Sequence, residues 1–270
     1  MNLDLKNKVV LITGAAGGIG ISCIINYLNE GSKVIGTYRS INNYSKTLID
    51  TIGKKGLAVN VDLRDEEDVK KLFAKVNKRY GRIDVLVCVA SIWPTKFVNI
   101  SDMPFQRWQS TFSSNVDSIF LCCKEYFNNL KRYKGDFASL ILIGSVAGTY
   151  GLAGKSDYAA SKSAVMYGLA KSLKNEIIEY AKFGRVNVIS PGWTNTPMTE
   201  NYLKDRNCVK RAMQTMPLTK VASPEDISKL AIFLGSEKCS GHITGEVINV
   251  AGGMEGRVLH KIEEIDPLIP

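Results

Sequence analysis

The chain has 270 residues, of which 45% are hydrophobic and 23% are charged, and its formal net charge is +9. This composition is typical of a globular protein with a sizeable core and excludes a largely disordered chain. The first residues lack the apolar stretch of a secretory signal, and no apolar run approaches the length of about 18 residues that a membrane span needs. We therefore expect a cytoplasmic protein that does not bind membranes.

The positive charge and the cysteines carry little further information. The basic residues are scattered along predicted amphipathic helices, and no nucleic-acid-binding module is recognisable, so we expect no nucleic-acid partner. The six cysteines lack metal-ligand spacing, and the two histidines fit no ligand set, so we expect no metal. A net positive field would favour phosphorylated cofactors and acidic substrates.

Seven short apolar, β-branched runs alternate along the chain with longer segments of helical period. The predicted strands are residues 8–13, 33–38, 57–61, 85–89, 139–145, 185–189 and 246–250. Near-continuously apolar strands joined by helical crossovers predict a parallel sheet that is covered on both faces. The predicted fold class is therefore α/β, with a single Rossmann-like, doubly wound domain over residues 1–254 that holds a seven-stranded parallel sheet with helices on both faces. Residues 255–270 lose this periodicity and are predicted to form a C-terminal tail or arm.

Two of the predicted helices have clear signals. In residues 65–80, apolar side chains recur at Val69, Leu72, Phe73 and Val76, with acids at the start and bases at the end. A second helix is predicted to begin after Ser223, where Ser-Pro-Glu-Asp supplies a cap, a proline in the first turn and an acid that can reach back to the cap.

The turn after the first strand is rich in glycine and reads TGAAGGIG over residues 13–20. Glycines let the turn tighten and let backbone amides approach a pyrophosphate, whose charge the following helix N-terminus favours. The spacing TGxxxGxG resembles the signature of the short-chain dehydrogenase/reductase family. The residues predicted to bind the cofactor here are Gly14, Ala16, Gly17, Gly18, Ile19 and Gly20.

The end of the second strand bears on the choice of cofactor. In this fold an acid at that point selects NAD, whereas a cation accommodates the 2′-phosphate of NADP. This chain has Tyr38, Arg39 and Ser40 there and no acid, which favours NADP(H). NAD(H) stays open, because Arg39 could be a solvated loop cation and many NADP-using relatives carry a basic residue where this chain has Gly17.

Three further residues are predicted to contact the cofactor after the third and fourth strands. By resemblance, Asp62 and the adjoining Leu63 would lie against the adenine, although Asp62 could equally cap the next helix. Relatives carry Asn-Asn-Ala-Gly after the fourth strand, whereas this chain reads CVAS over residues 88–91. Ala90 still permits close approach of the cofactor, and Cys88 is interpreted as a core residue.

A tyrosine and a lysine supply the candidate chemistry. Tyr158 and Lys162 are four residues apart and share one face of a predicted helix. A cation beside a phenol is expected to lower the pKa of the phenol toward the working pH, as a proton donor to a carbonyl requires. Ser145 ends an apolar strand at the sheet edge where ligands bind in such folds. Its hydroxyl could hold the substrate oxygen beside Tyr158.

The order of these residues resembles the Ser-Tyr-Lys core of the same family, and the resemblance covers roughly residues 5–254. It implies that Ser145, Tyr158, Lys162 and Asn115 are catalytic and that Tyr158 and Lys162 also contact the cofactor. Asn115 could alternatively satisfy backbone groups at a helix kink. Pro191, Gly192, Thr194 and Thr196 resemble the family's PGxxxT element beside the nicotinamide, and residues 193–222 are expected to form a lid.

The motif pattern is most similar to that of 3-oxoacyl-(acyl carrier protein) reductases. The implied activity is hydride transfer between NADPH and a ketone or secondary alcohol, with an acyl carrier protein as a candidate partner for the basic residues Lys131, Arg132 and Lys134. Sugar, polyol and small-ketone dehydrogenases share these motifs, and a non-catalytic dinucleotide sensor or scaffold is the alternative of another class. Aromatic residues Trp93, Tyr150, Trp193 and Tyr202 are expected around the substrate. Relatives are mostly homotetramers or homodimers that bury helices such as residues 115–130 and 158–180.

Overall fold

A single parallel sheet forms the centre of the protein. The structure, a computed structural model, describes residues 2–267. The strands are β1 (Val9–Thr13), β2 (Lys33–Tyr38), β3 (Gly56–Asn60), β4 (Val85–Cys88), β5 (Phe137–Ile143), β6 (Phe183–Pro191) and β7 (Val247–Val250). They pair in the order β3-β2-β1-β4-β5-β6-β7, and every neighbouring pair is parallel. The predicted seven-stranded, doubly wound architecture is therefore confirmed.

Helices connect the strands and cover both faces of the sheet. They are α1 (Gly18–Asn29), α2 (Asn43–Ile52), α3 (Glu66–Tyr80), α4 (Phe105–Phe112), α5 (Ser118–Arg132), α6 (Ala147–Tyr150), α7 (Ser156–Ser163), α8 (Ala170–Glu176), α9 (Glu200–Leu203), α10 (Arg206–Met213), α11 (Pro224–Gly235) and α12 (Glu237–Ser240). Two π-helical segments, Ser113–Asp117 and Ala164–Leu169, join α4 to α5 and α7 to α8. Among the residues described, no helix is long and apolar enough to cross a membrane.

The hydrophobic core lies in two layers because the strands are buried on both faces. In β1, Val9 and Leu11 pack into the layer beneath α3, α5 and α8, whereas Val10 and Ile12 pack into the opposite layer beneath α1 and α11. This alternation follows from the two-residue period of a strand. It explains why the strand reads as a continuous apolar run.

Both clearly signalled helices begin where they were predicted. The Asp65 side chain accepts a hydrogen bond from the Asp68 backbone N–H at the start of α3, and the predicted apolar stripe of that helix is buried. At the start of α11, Ser223 and Asp226 form a reciprocal capping box. These bonds satisfy amides that a helix N-terminus otherwise leaves free.

The predicted end of the fifth strand was wrong by two residues. Strand β5 ends at Ile143, and Ser145 lies in the loop that follows. The chain leaves the sheet there because Val146 already adopts helical backbone angles at the start of α6. Ser145 is thereby lifted just beyond the carboxyl edge of the sheet, where its side chain is free to face a ligand.

The lid, which we define as residues 193–222, folds together with the C-terminal tail of the same chain. Side chains of α9 and α10 form a separate small apolar cluster with Val221 and Met216, and Ile265 of the tail is buried within it. The Leu259 backbone N–H donates to the Gln214 carbonyl and adds a second attachment. In this structure the tail therefore covers its own lid, and residues 268–270 lie outside the described part of the chain.

Candidate active site

A cavity of about 460 Å³ lies at the carboxyl edge of the sheet, above β1 and β4. Strand order reverses between these two strands, and open α/β sheets bind their ligands at such a point. The predicted residues that line the cavity are Gly14, Ala16, Gly17, Gly18, Ile19, Tyr38, Arg39, Asp62, Leu63, Ala90, Ser145, Tyr158, Lys162, Pro191, Gly192, Thr194 and Thr196. Gly20, Ser40 and Asn115 are not among the lining residues.

The glycine turn is compact because its glycines meet backbone atoms directly. Gly14 has a φ of 60°, and a Cβ atom there would lie 2.7 Å from the backbone nitrogen of Ala90. A Cβ on Gly20 would lie 2.4 Å from the Gly14 carbonyl oxygen. Gly20 therefore shapes the turn from behind although it does not line the cavity.

The start of α1 fits a pyrophosphate. Gly17 precedes the helix and has no side chain with which to cap it. The first backbone amides of α1, which line the cavity, are therefore left to bind a ligand. The Gly14 backbone N–H is held by the Thr37 hydroxyl, which accepts its hydrogen bond at 3.2 Å. The residues present therefore fit a dinucleotide cofactor, with its phosphates against this helix end.

One cation at the adenosine end of the cavity was missed from the sequence. Arg64 donates from Nε to a carboxylate oxygen of Asp62 at 2.9 Å, and its backbone N–H donates to the same oxygen at 3.0 Å. The hydrogen bonds from Arg64 lower the pKa of Asp62 to about 2. The only available signal was the occurrence of a cation two residues after Asp62. Arg64 and Arg39 both line this end of the cavity.

Ser145, Tyr158 and Lys162 meet at the centre of the cavity. The Ser145 hydroxyl faces the Tyr158 phenol and favours its ionisation, and Tyr158 is only 6% exposed. Lys162 is buried, its Nζ donates to the carbonyl oxygen of Ile143 at 2.9 Å, and it lies 5.8 Å from the Tyr158 ring centroid. The structure thus brings together the serine, phenol and ammonium that the sequence singled out.

The expected direction of the Tyr158 pKa shift was wrong for the protein alone. Burial raises the pKa of Tyr158 to about 12, and the Ser145 hydroxyl opposes that shift only in part. Burial also lowers the pKa of Lys162 to about 8. Desolvation of the phenol dominates because the ammonium is directed at the Ile143 carbonyl rather than at the phenol oxygen.

Asn115 lies in the π-helical segment between α4 and α5, as the kink interpretation anticipated. Its amide exchanges two hydrogen bonds with the Ile92 backbone and donates a third to the Ser161 hydroxyl at 3.1 Å. Ser161 is a neighbour of Lys162 on α7. Asn115 therefore ties the loop after β4 to the helix that carries Tyr158 and Lys162, from a fully buried position.

The loop after β4 reads CVAS where relatives carry Asn-Asn-Ala-Gly, and it is held in place without those asparagines. The Thr13 hydroxyl accepts hydrogen bonds from the backbone N–H groups of Val89 and Ala90, which hold the loop against the glycine turn. Cys88 is buried next to Cys123, and that neighbour together with burial raises the pKa of the Cys88 thiol. Because its surroundings strongly disfavour the reactive thiolate form, we interpret Cys88 as a core residue rather than a redox centre.

The far end of the cavity is apolar and aromatic. Its walls are formed by Ile92, Trp93, Tyr150, Leu152, Trp193, Met198 and Met254. Tyr202, which was also expected there, does not line the cavity but packs edge-on against Trp93 at a centroid distance of 6.1 Å. This end of the cavity is suited to an uncharged, apolar part of a ligand.

The chain is similar in sequence to proteins of named function. Residues 14–255 match a family profile described as "Enoyl-(Acyl carrier protein) reductase". The chain is 33% identical over 259 residues to the 3-oxoacyl-[acyl-carrier-protein] reductase FabG of Thermotoga maritima, with 93% of this chain and 99% of that protein covered. It is 30% identical to FabG of Salmonella typhimurium, with the same coverage of both chains.

Solved structures show the same fold. A structure titled as that of Cj0485 dehydrogenase superposes with a TM-score of 0.82 at 27% identity, covering 93% of this chain and 95% of the other. A short-chain type dehydrogenase/reductase from Mycobacterium ulcerans superposes with a TM-score of 0.84 at 23% identity, covering 92% of this chain and 90% of the other.

The fold and the site together define a nicotinamide-dependent oxidoreductase. The chain belongs to the short-chain dehydrogenase/reductase family. Its cofactor is accordingly a nicotinamide dinucleotide, and its reaction interconverts a carbonyl group and an alcohol.

Proposed function

We propose that this protein uses NADPH to reduce the ketone of a 3-oxoacyl thioester. The observation that carries the proposal is the Ser145–Tyr158 pair, whose hydroxyl groups lie together between the glycine turn and the apolar end of one cavity. A substrate oxygen bound at this pair would lie between a cofactor on the glycine turn and an acyl chain in the apolar end. The names of the FabG relatives support the same substrate class.

The residues of the site divide the reaction between them. Ser145 would hold the ketone oxygen by a hydrogen bond, and Tyr158 would donate its proton to that oxygen as negative charge develops there. When bound, the nicotinamide supplies the hydride. With a pKa of about 12, the phenol carries its proton at neutral pH and is ready to donate in the reducing direction. Lys162, with a pKa of about 8, is charged at neutral pH and favours the tyrosinate that remains.

The proposed preference for NADPH rests on charge at the adenosine end. Arg39 lines the cavity directly after β2, at the point where an acid would select NAD. Asp62 is the nearest carboxylate to line that end, and its pairing with Arg64 balances its charge. A 2′-phosphate would therefore meet two guanidinium groups, those of Arg39 and Arg64, against the single carboxylate of Asp62.

The predicted docking patch for an acyl carrier protein lies at the opposite end of β5 from Ser145. Lys131, Arg132 and Lys134 are exposed at the end of α5, just before β5 begins. Ser145 follows the other end of β5, so the patch lies roughly 20 Å away at the rate of about 3.3 Å per strand residue. The thioester itself, rather than its carrier, is therefore the appropriate first substrate.

We also propose that the protein forms a homodimer or homotetramer through the long helices. Three residues are exposed on these helices: Phe120 on α5 (50%), Tyr167 in the π-helical segment between α7 and α8 (45%), and Ile178 after α8 (57%). Apolar side chains exposed on such helices are typical of surfaces that a second copy covers. Analytical ultracentrifugation tests this proposal, and a monomer at micromolar concentration would contradict it.

The test of the function is NADPH oxidation by the purified protein with acetoacetyl thioester, a longer 3-oxoacyl thioester and a 2-enoyl thioester. We expect turnover of the two ketones, loss of at least about a thousandfold in Tyr158→Phe, and little change in Tyr44→Phe, which alters an exposed tyrosine on α2. If the protein turned over the 2-enoyl thioester in preference to the ketones, the group that it reduces would be a carbon–carbon double bond, and the ketone proposal would be wrong.

Small ketones, sugars and polyols complete the panel, with NADP or NAD as oxidant for the alcohols. Selective turnover of one of these would assign the protein to that substrate class and contradict the thioester proposal. Tight NADPH binding without turnover of any substrate in either direction would instead favour a dinucleotide sensor.

A further inference from the structure

A buried lysine lies close to the catalytic tyrosine and has no part in the proposed reaction. Lys155 directly precedes α7, is fully buried, and its ammonium has no hydrogen-bond acceptor within residues 2–267. A buried ammonium without an acceptor is strongly disfavoured unless another interaction replaces its water.

Three aromatic rings surround this ammonium. Lys155 Nζ lies 4.5 Å from the ring centroids of both Trp93 and Phe97 and 5.8 Å from that of Tyr202. All three distances fall within the range of about 6 Å over which a cation is attracted to a ring face. Trp93 and Phe97 belong to the loop after β4, and Tyr202 belongs to lid helix α9. One ammonium thus joins the loop and the lid.

Trp93 joins the aromatic cluster to the ring of Tyr158. Trp93 packs edge-on against the Tyr158 ring at a centroid distance of 4.7 Å, and it lines the substrate end of the cavity. On the lid side, the Tyr202 hydroxyl donates to the Thr95 carbonyl. Trp93 is therefore held between the lysine, the lid and Tyr158, and its position sets the wall of the pocket beside the phenol.

Within the described residues, the carboxylate nearest to Lys155 in sequence is paired with another cation, so the aromatic rings are the groups that stabilise the Lys155 ammonium. Asp157 is the nearest acid in sequence, but its carboxylate accepts hydrogen bonds from Arg107 at 2.9 and 3.1 Å and from the Thr111 hydroxyl. Burial, and then the positive charge of Arg107, lower the pKa of Lys155 to about 8, against the opposing effect of Asp157. The lysine is thus charged at neutral pH and paired with no carboxylate in the described structure.

We propose that Lys155 is a positioning residue whose ammonium holds Trp93, Phe97 and lid residue Tyr202 in one cluster, fixing the substrate wall against Tyr158. The kinetic part of this inference rests on the proposed reductase function. Lys155 acts through Trp93 and does not itself line the cavity. Loss of its charge should therefore weaken substrate binding and loosen the lid while leaving the proton donor in place.

The test compares Lys155→Met, which keeps the length and removes the charge, with Lys155→Arg, which keeps a cation able to stack on rings. Lys229→Met is the control, because Lys229 is an exposed lysine of α11 paired with Glu225. With saturating NADPH, we expect Lys155→Met to raise KM for the ketone about tenfold and to change kcat by less than about threefold. Lys155→Arg should recover most of the affinity, and Lys229→Met should match the parent protein.

Amide hydrogen exchange of α9 and α10 gives a readout that needs no turnover. We expect faster exchange in Lys155→Met than in the parent protein, with no change in α3 or α11. If the parent protein reduced no ketone, the reductase proposal would fail while this measurement still tested the lysine. Unchanged exchange together with unchanged KM would overturn the proposal.

A double-mutant cycle separates the charge from simple packing. Phe97 is 51% exposed, so Phe97→Leu should fold even if Lys155→Met does not, and on its own it should raise KM and lid exchange in the same direction. In the double variant the two effects should overlap rather than add, because each removes one half of the same contact. Full additivity, or equal losses in Lys155→Met and Lys155→Arg, would show a packing role and overturn the proposal.

Discussion

The ammonium of Lys162 donates a hydrogen bond of 2.9 Å to the carbonyl oxygen of Ile143, the last residue of β5. This contact fixes the lysine at the carboxyl edge of the sheet, with Nζ 5.8 Å from the centroid of the Tyr158 ring. One carbonyl replaces only a small part of the hydration that an ammonium loses on burial, and burial accordingly lowers the pKa of Lys162 to about 8. A charge that the proposed reaction uses is therefore held at a cost in stability.

The first prediction concerns Lys162→Met. We expect this variant to lose turnover but to gain about 1 to 2 kcal/mol in the free energy of unfolding at pH 7, after allowance for the lost hydrogen bond. The cost of the buried charge is fully present below the folded pKa of about 8 and disappears as the pH approaches the ordinary lysine value of 10.5. Urea unfolding at pH 7 and pH 10.5 measures the difference, which should shrink at the higher pH.

Lys171→Met is the matched control for that experiment. Lys171 also donates to a backbone carbonyl, that of Gly245, but from an exposed position on α8. Its replacement should lower the free energy of unfolding slightly at pH 7. Equal losses in the two variants would mean that the buried charge of Lys162 carries no cost.

The second prediction concerns the glycine turn. A Cβ atom on Gly20 would lie 2.4 Å from the Gly14 carbonyl oxygen and 2.7 Å from the Ala15 Cα, and backbone atoms cannot move aside. Gly20→Ala should therefore destabilise the protein by about 2 to 3 kcal/mol and weaken NADPH binding, although the residue does not line the cavity. Thermal unfolding and fluorescence titration with NADPH measure the two effects.

Gly168→Ala provides the comparison, because a Cβ there would meet no atom within 4 Å. Alanine at a helical position of this kind stabilises by about 0.5 to 1 kcal/mol, since it restricts the unfolded chain. NADPH binding by this variant should equal that of the parent protein. A Gly20→Ala variant that behaved like Gly168→Ala would show that the turn adapts to a side chain.

Much of the site could be predicted from the sequence because its signals are local. The turn at residues 13–20 carries its own spacing, and Tyr158 and Lys162 share a helix face because they are four residues apart. The strands were found because burial on both faces makes them continuous apolar runs. Each of these features is encoded within one short segment.

The remaining features depend on contacts between segments that are far apart in the chain. The rings around Lys155 come from the loop after β4 and from the lid, and no local pattern indicates that Trp93 and Tyr202 meet there. The pKa of Tyr158 was expected to fall because of Lys162, but its direction is set by burial, which only the folded structure defines. Spacing identifies the chemical groups and does not reveal their solvation.

The third prediction tests the proposed role of Arg39. Replacing it by Ala should lower the ratio of kcat/KM for NADPH to that for NADH by about thirtyfold, as expected for the loss of a charge-assisted contact worth about 2 kcal/mol. Arg132→Ala is the control, since Arg132 is exposed at the end of α5 and lies away from the cavity. Steady-state kinetics with each cofactor gives the ratio, and an unchanged ratio in Arg39→Ala would contradict the proposed phosphate contact.

The fourth prediction concerns Asp157, the carboxylate that directly precedes Tyr158 in the chain. Asp157 is fully buried, and its oxygens accept hydrogen bonds from Arg107 and Thr111. Burial opposes its ionisation, but these bonds outweigh burial and hold the pKa of Asp157 below its ordinary value of 3.8. The stability that Asp157 contributes is therefore present above pH 3.8 and is lost as the pH falls through the lower folded value.

Asp157→Asn should accordingly lower the free energy of unfolding at pH 7 by about 2 kcal/mol, because the Arg107 charge would lose its partner in a largely buried site. Urea unfolding should show a smaller difference at pH 3, where the parent protein has begun to lose the same interaction. Glu225→Gln, at an exposed pair on α11, should change stability by less than about 1 kcal/mol at either pH. Arg107 also donates hydrogen bonds to the carbonyls of Lys96 and Gly154. A loss of stability in Asp157→Asn but not in Glu225→Gln would assign the stabilisation to the buried ion pair. No loss in Asp157→Asn would mean that the two carbonyls suffice to hold the arginine.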